Sequence, residues 1–191
     1  MDERSSSPNV PPPGYRDVSI PLEAITLRAL VWMIPLIAVP LIPYWLIHGW
    51  DAFWSGAFEG VNGLWFVGGM VIGIIAHEVV HAVGWKFASG LPWRAFSFGI
   101  DRSTASPYCH ADAPMPASAY RFGALLPSVI TGILPVVIAT AIASPTLALI
   151  GAVLFSAAVG DFIVVWVIRA VRPDARVLDH PTNAGCYVEE I

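Results

Sequence analysis

Charged side chains leave long stretches of this chain free, and the apolar runs between them have the length needed to cross a bilayer. A spanning helix needs about 20 apolar residues. Four runs qualify: Ala29 to Ile47, about Val61 to Ala88, about 122 to 143 and about 146 to 171. The last two come from one stretch, Phe122 to Gly160, that has no charged side chain and is too long for a single span. Ser144-Pro145 near its middle supplies the turn. Pro35, Pro40 and Pro43 predict a bend or break near the outer end of the first run. Gly123, Pro127, Gly132 and Pro135 predict a kinked third helix that its neighbours approach closely.

Between the second and third spans the period changes. Phe96, Phe98 and Ile100 alternate with polar or small residues, which is a strand pattern. Asp101-Arg102-Ser103-Thr104 could turn the chain and the residues to 113 could return it, with Pro107 confining that return to an edge or a bulge. The expected fold class is an all-α membrane protein of about four transmembrane helices, with a short β-hairpin over 95–113 between the second and third. Residues 1–24 mix acids, serines and prolines, lack the basic start of a cleaved signal peptide, and are expected to form a disordered cytosolic arm. Residues 25–171 form the transmembrane bundle and 172–191 a cytosolic C-terminal tail.

Composition agrees: a mean hydropathy of +0.67 with only 13% charged residues lies outside the range of ordinary soluble domains and predicts an integral membrane protein surrounded by lipid. A net charge of -4, thinly spread, gives no basis for a nucleic-acid partner. The 10 basic residues fall before the first span (Arg4, Arg16, Arg28), between the second and third (Lys86, Arg94, Arg102, Arg121) or at the end of the fourth (Arg169, Arg172, Arg176). Positive loops stay inside, so both termini are expected to be cytoplasmic. The preponderance of arginine over lysine fits a bacterial cytoplasmic membrane. Cys109 and Cys186 make neither a metal-binding spacing nor a disulfide framework. No pattern assigns an oligomeric state.

The second span carries polar groups that lipid penalises. His77-Glu78-Val79-Val80-His81 fits H-E-x-x-H, in which two histidines one helical turn apart face one Zn²⁺ and the glutamate acts as general base. Random placement of the 5 His and the six Glu gives roughly 0.004 such matches. The alternative is a set of buried polar groups satisfied by neighbouring helices; ionisable groups inside a bilayer are costly and usually functional.

A catalytic zinc takes a third protein ligand and leaves one position for water. The metzincin extension fits through Gly84 but ends on Phe87, and no Glu occurs between Glu78 and Glu189. Asp161, the one acidic residue inside the fourth span, is the remaining candidate. It lies eight residues before Arg169, while His77 lies nine before Lys86, and both spans run inward. At 1.5 Å per residue both sit about 12–14 Å from the cytoplasmic boundary. Gly160 beside Asp161 removes a side chain where a helix or metal must come close, and a helix-helix hydrogen bond is the other reading of Asp161. His110 and Cys109 on the connector could bind metal or form a gate, although loop histidines are mostly solvated. Trp45, Trp50, Trp54, Trp65, Trp85 and Trp93 are expected as interfacial anchors.

His77-Glu78-x-x-His81 on one span and Gly160-Asp161 on a later one resemble the site-2 protease type of intramembrane metalloprotease. More closely, the chain resembles the putative zincin peptidase family of small membrane proteins. That pattern holds the H-E-x-x-H helix, a polar connector, a helix ending in Gly-Asp and a terminal Asp-His-Pro, here Asp179-His180-Pro181, covering about residues 60 to 187. The resemblance implies hydrolysis of peptide bonds in membrane-associated protein substrates, with zinc on His77, His81 and Asp161 and Glu78 as base. It also implies a supporting role for Asp179 and His180, and a substrate held as an added strand, for which the hairpin is the candidate. Site-2 proteases carry the aspartate in a Leu-Asp-Gly or Asn-Pro-Asp context, whereas here it reads Val159-Gly160-Asp161-Phe162. A non-catalytic metal-binding adaptor or scaffold is the alternative; an intact Glu78 argues against it, since a structural zinc needs no base.

Overall fold

The computed structural model describes residues 10–21, 23–61, 63–101 and 106–190. Residues 1–9 of the expected arm and Arg102 to Thr104 of the expected turn lie outside them. Among the described residues, four helical segments are long and apolar enough to cross a membrane: Ala29–His48, Leu64–Ser89, Ala117–Ile142 and Pro145–Ala170. They carry many exposed apolar side chains, among them Leu30, Ile34, Leu46, Leu64, Trp65 and Ile72, as a lipid-facing surface does.

The first span belongs to one helix, α1 (Glu23–His48), which continues through Pro35, Pro40 and Pro43 without the predicted break. Apolar surroundings favour helix continuity because a lost backbone bond has no water to replace it. The connection after it is itself helical: α2 (Trp50–Val61) buries Phe53 and Ala57 against Leu41 and Tyr44 of α1. The second span is α3 (Leu64–Ser89), closed by Gly90 in the left-handed conformation at φ 75°.

The third span is interrupted as its prolines predict. α4 (Ala117–Pro127) passes into a π-helical turn (Ser128–Ile133) and then α5 (Leu134–Ile142). The Leu134 N–H donates to Val129, five residues back. Pro135, next in the chain, has no N–H for the carbonyl four residues before it, so the ladder cannot keep its α register there. The fourth span begins as α6 (Pro145–Ala157), with the Ser144 hydroxyl accepting from the Leu147 N–H, and continues after Ala158 as α7 (Val159–Val167).

The molecule is not all-α. Strands β2 (Phe96–Asp101) and β3 (Ser106–Ala111) form the predicted hairpin, with Phe98 opposite Cys109. A second, antiparallel sheet has the order β1-β6-β5-β4, built from β1 (Tyr15–Ile20), β4 (Met115–Pro116), β5 (Arg176–Asp179) and β6 (Ala184–Glu189). Part of the segment expected to be a disordered arm is therefore a strand, and the expected tail supplies two more. These strands are short, and β1 finds its partner β6 at the far end of the chain, so no local pattern announces the pairing. The sheet packs through Val177, Cys186 and Val188 onto Trp85, Tyr120 and Ile168, at the ends of the spans that carry Lys86, Arg121 and Arg169.

Candidate metal centre

His77 and His81 stand one turn apart on α3, both buried, with ring centroids 4.9 Å apart. Each ring is held at Nδ1 by the third span. His81 Nδ1 lies 3.0 Å from the Gly123 carbonyl, which can only accept, so the proton sits on Nδ1 and Nε2 keeps its lone pair. This bond depends on a close approach of α3 and α4: a Cβ on Gly84 would meet the Gly123 Cα at 2.9 Å, and a Cβ on Gly123 would collide with the Trp85 indole. His77 Nδ1 lies 3.3 Å from Thr131 Oγ1 in the π-helical turn, and that hydroxyl donates to the Pro127 carbonyl at 2.8 Å. Thr131 therefore accepts from His77, and the same tautomer results.

Both Nε2 atoms face Asp161 in the first turn of α7: His77 Nε2 is 3.1 Å from Oδ2 and His81 Nε2 is 3.3 Å from Oδ1. Two imidazole nitrogens and a carboxylate oxygen thus lie within 4.8 Å of one another. With both Nδ1 protons placed outward, three acceptors converge, an arrangement that a metal ion between them or a proton on an Nε2 satisfies. This donor set is that of a catalytic zinc site, with one position left for water. The Asp161 side chain, 21% exposed, is the least covered member of the group. Gly160 contributes no close approach: a Cβ there would meet nothing within 4 Å.

Glu78 is half-buried beside the group, and the Cys109 N–H of β3 faces its carboxylate. Strand parity explains why. The Asp112 N–H donates to the Ala95 carbonyl at 2.9 Å, so 97–110 and 99–108 are the hydrogen-bonded pairs of the hairpin. Residues 107, 109 and 111 then turn their backbone groups to the outer edge of β3. Pro107 has no N–H, Cys109 meets Glu78, and the Ala111 N–H donates to Asp179 Oδ2 at 3.2 Å.

The other candidates lie outside the metal group. His110 Nδ1 sits 2.9 Å from Asp179 Oδ2, with Asp112 at 3.7 Å from Nε2. Burial alone would lower its pKa, but the hydrogen bond and charge of Asp179, with Asp112, outweigh it and hold the pKa above the ordinary histidine value. Asp179 also accepts the Tyr120 hydroxyl at 2.5 Å. His180 is buried and closes the β5–β6 turn: its Nδ1 accepts the N–H groups of Thr182 and Asn183 at 3.1 and 2.8 Å, and burial lowers its pKa. Burial, with Glu78 and Asp179 nearby, pushes the Cys109 thiol up to about 12, so it offers no thiolate.

Sequence reasoning misses Thr131 and Tyr120, and it names Gly123 only as a point of close helix approach and Trp85 only as an anchor. Trp85 is no interfacial anchor: it is buried, stacks on His81 at 5.3 Å and on Tyr120 at 5.6 Å, and donates Nε1–H to the Tyr120 carbonyl. Its place four residues after His81, on the same helical face, was the available signal.

Among known proteins, a family described as "Putative zincin peptidase" matches residues 70–176, more than half of the chain. The match takes in His77, Glu78, His81 and Asp161 and stops before Asp179-His180-Pro181. No curated protein and no solved structure matches.

Proposed function

Because this chain belongs to the putative zincin peptidase family, we propose that it is a zinc-dependent endopeptidase with its site inside the membrane, cutting membrane-associated protein or peptide substrates. The observation that carries this reading is the meeting of His77 Nε2, His81 Nε2 and the Asp161 carboxylate on two candidate spans, with Glu78 beside them. When bound there, zinc supplies a Lewis acid for the peptide carbonyl and acidifies water.

The chain's own residues do the rest. The Gly123 carbonyl and the Thr131 hydroxyl keep both imidazoles turned and correctly protonated. The Glu78 carboxylate takes a proton from the attacking water and returns it to the departing amine nitrogen. The partly exposed Asp161 side marks the approach for water, on the end of the bundle that the basic residues assign to the cytoplasm. A helical substrate must unwind before its carbonyls are available. An extended substrate segment has a template in the outer edge of β2, where Phe98 and Ile100 turn their backbone groups away from β3 and their side chains are exposed. Both termini then lie in the cytoplasm of a bacterial cell.

The second reading, a non-catalytic metal-binding scaffold, draws on one observation: Glu78 faces the Cys109 N–H of β3, a placement that a structural role would also use. The test is zinc per chain in detergent for wild type, His77→Ala and Asp161→Ala, with cleavage of labelled casein by wild type and Glu78→Gln. The expected result is one zinc in the wild type, lost in both alanine variants, and cleavage lost in Glu78→Gln with zinc retained. A well-folded wild type without zinc would end the peptidase reading, and zinc without cleavage would favour the scaffold.

A further inference from the structure

We propose that Asp179 is a positioning residue that sets strand β3 against Glu78 and so places the base; this rests on the peptidase reading above. Three donors from two elements end on its carboxylate. The Ala111 N–H and His110 Nδ1 reach Oδ2 from β3, and the Tyr120 hydroxyl reaches Oδ1 from α4. The side chain is 12% exposed, so water does not replace these bonds cheaply.

The geometry gives the carboxylate a definite task. The outward donors of β3 are those of Cys109 and Ala111, since Pro107 has none. One faces Glu78, and the other, two residues along, is held by Asp179. The pair fixes the height and tilt of the strand edge that faces the base.

The same carboxylate reaches the other side of the site. Tyr120, pinned by Asp179, stacks on Trp85 with an interplanar angle of 4°, and Trp85 stacks on His81. Asp179 lies beyond the segment 70–176 that matches the family, and the three bonds carry its place here.

An asparagine at 179 keeps the size but turns an NH₂ toward one of three donors. The test uses the full chain in detergent with zinc, and labelled casein as the probe. Amide exchange at Cys109 and Ala111 is followed by NMR alongside kcat, KM and zinc content. In Asp179→Asn both amides exchange at least ~10-fold faster, zinc stays at one per chain, and kcat falls about 10–100-fold, the range for outer partners of a metal site, with KM within about twofold. Tyr120→Phe, which leaves both β3 bonds intact, moves the same quantities less.

Unchanged exchange at Cys109 overturns the proposal, as does unchanged kcat when both amides exchange faster. Loss of zinc together with kcat makes Asp179 a general structural residue and also overturns it. Exchange is read whether or not casein is cut, so a failed peptidase reading and a failed positioning role give different results.

Discussion

The Thr131 hydroxyl oxygen lies 3.3 Å from His77 Nδ1 and commits its own proton to the Pro127 carbonyl. It serves the imidazole only as an acceptor, and it reaches the ring from within a π-helical turn. Thr131→Val keeps the shape and removes that acceptor. Zinc affinity, measured by competition with a chelating dye, is expected to fall about 10–100-fold. Thr131→Ser, which retains the hydroxyl, should bind within a few-fold of wild type; equal binding by the valine variant would show that the ring needs no such partner.

Zinc should stabilise the bundle in proportion to its occupancy, because the three acceptors repel one another without a cation. At a free concentration 100 times Kd the gain is about 2.7 kcal/mol. Removing zinc with a chelator is expected to lower the thermal midpoint of the wild type and to leave Asp161→Ala unmoved. Equal shifts in both proteins would place the stabilising metal elsewhere.

Gly123→Ala puts a methyl group into the Trp85 indole and pushes apart the helices that bring the Gly123 carbonyl to His81. Overpacking of this kind costs about 1–3 kcal/mol, to be read by chemical denaturation in detergent. Trp85→Phe in the same chain should return part of that loss, since the two residues share one contact. Strict additivity of the two substitutions would mean the collision is relieved some other way.

The pairing of His110 with Asp179 has a sign in pH. The pKa of His110 is raised in the fold, so its contribution is complete below the ordinary value of 6.5 and disappears as pH rises through the raised one. The charges facing it are Asp179 and Asp112. The stability difference between wild type and His110→Gln should therefore be largest in mildly acidic buffer and shrink toward alkaline pH. A difference that grows with pH would contradict a protonated His110.

Much of this was legible in the residues. Apolar runs, prolines and the placement of arginine give four candidate spans, and the alternation at Phe96, Phe98 and Ile100 gives the hairpin. The depth argument brings Asp161 level with His77, and the two meet at 3.1 Å. The second sheet was hidden because its strands are two to six residues long and pair across the whole chain. The roles of Thr131 and Gly123 were hidden for another reason: each works through one backbone or hydroxyl oxygen, and a helix presents such oxygens everywhere. Only the π-helical turn before Pro135 and the contact at Gly84 decide which oxygens reach the histidines.

The place of β6, between β1 and β5, also bears on how the molecule is made. On the ribosome, the helix with His77 and His81 emerges well before Asp161, and β1 waits for a partner that is translated near the end. Closing so long a loop is slow, and it comes after the spans have entered the bilayer. A nascent copy thus travels with two histidines and a glutamate but without the carboxylate that joins them or the strand that steadies the hairpin. On the peptidase reading proposed above, the site is complete only once α7 has been made, so metal loading would be a late step in maturation.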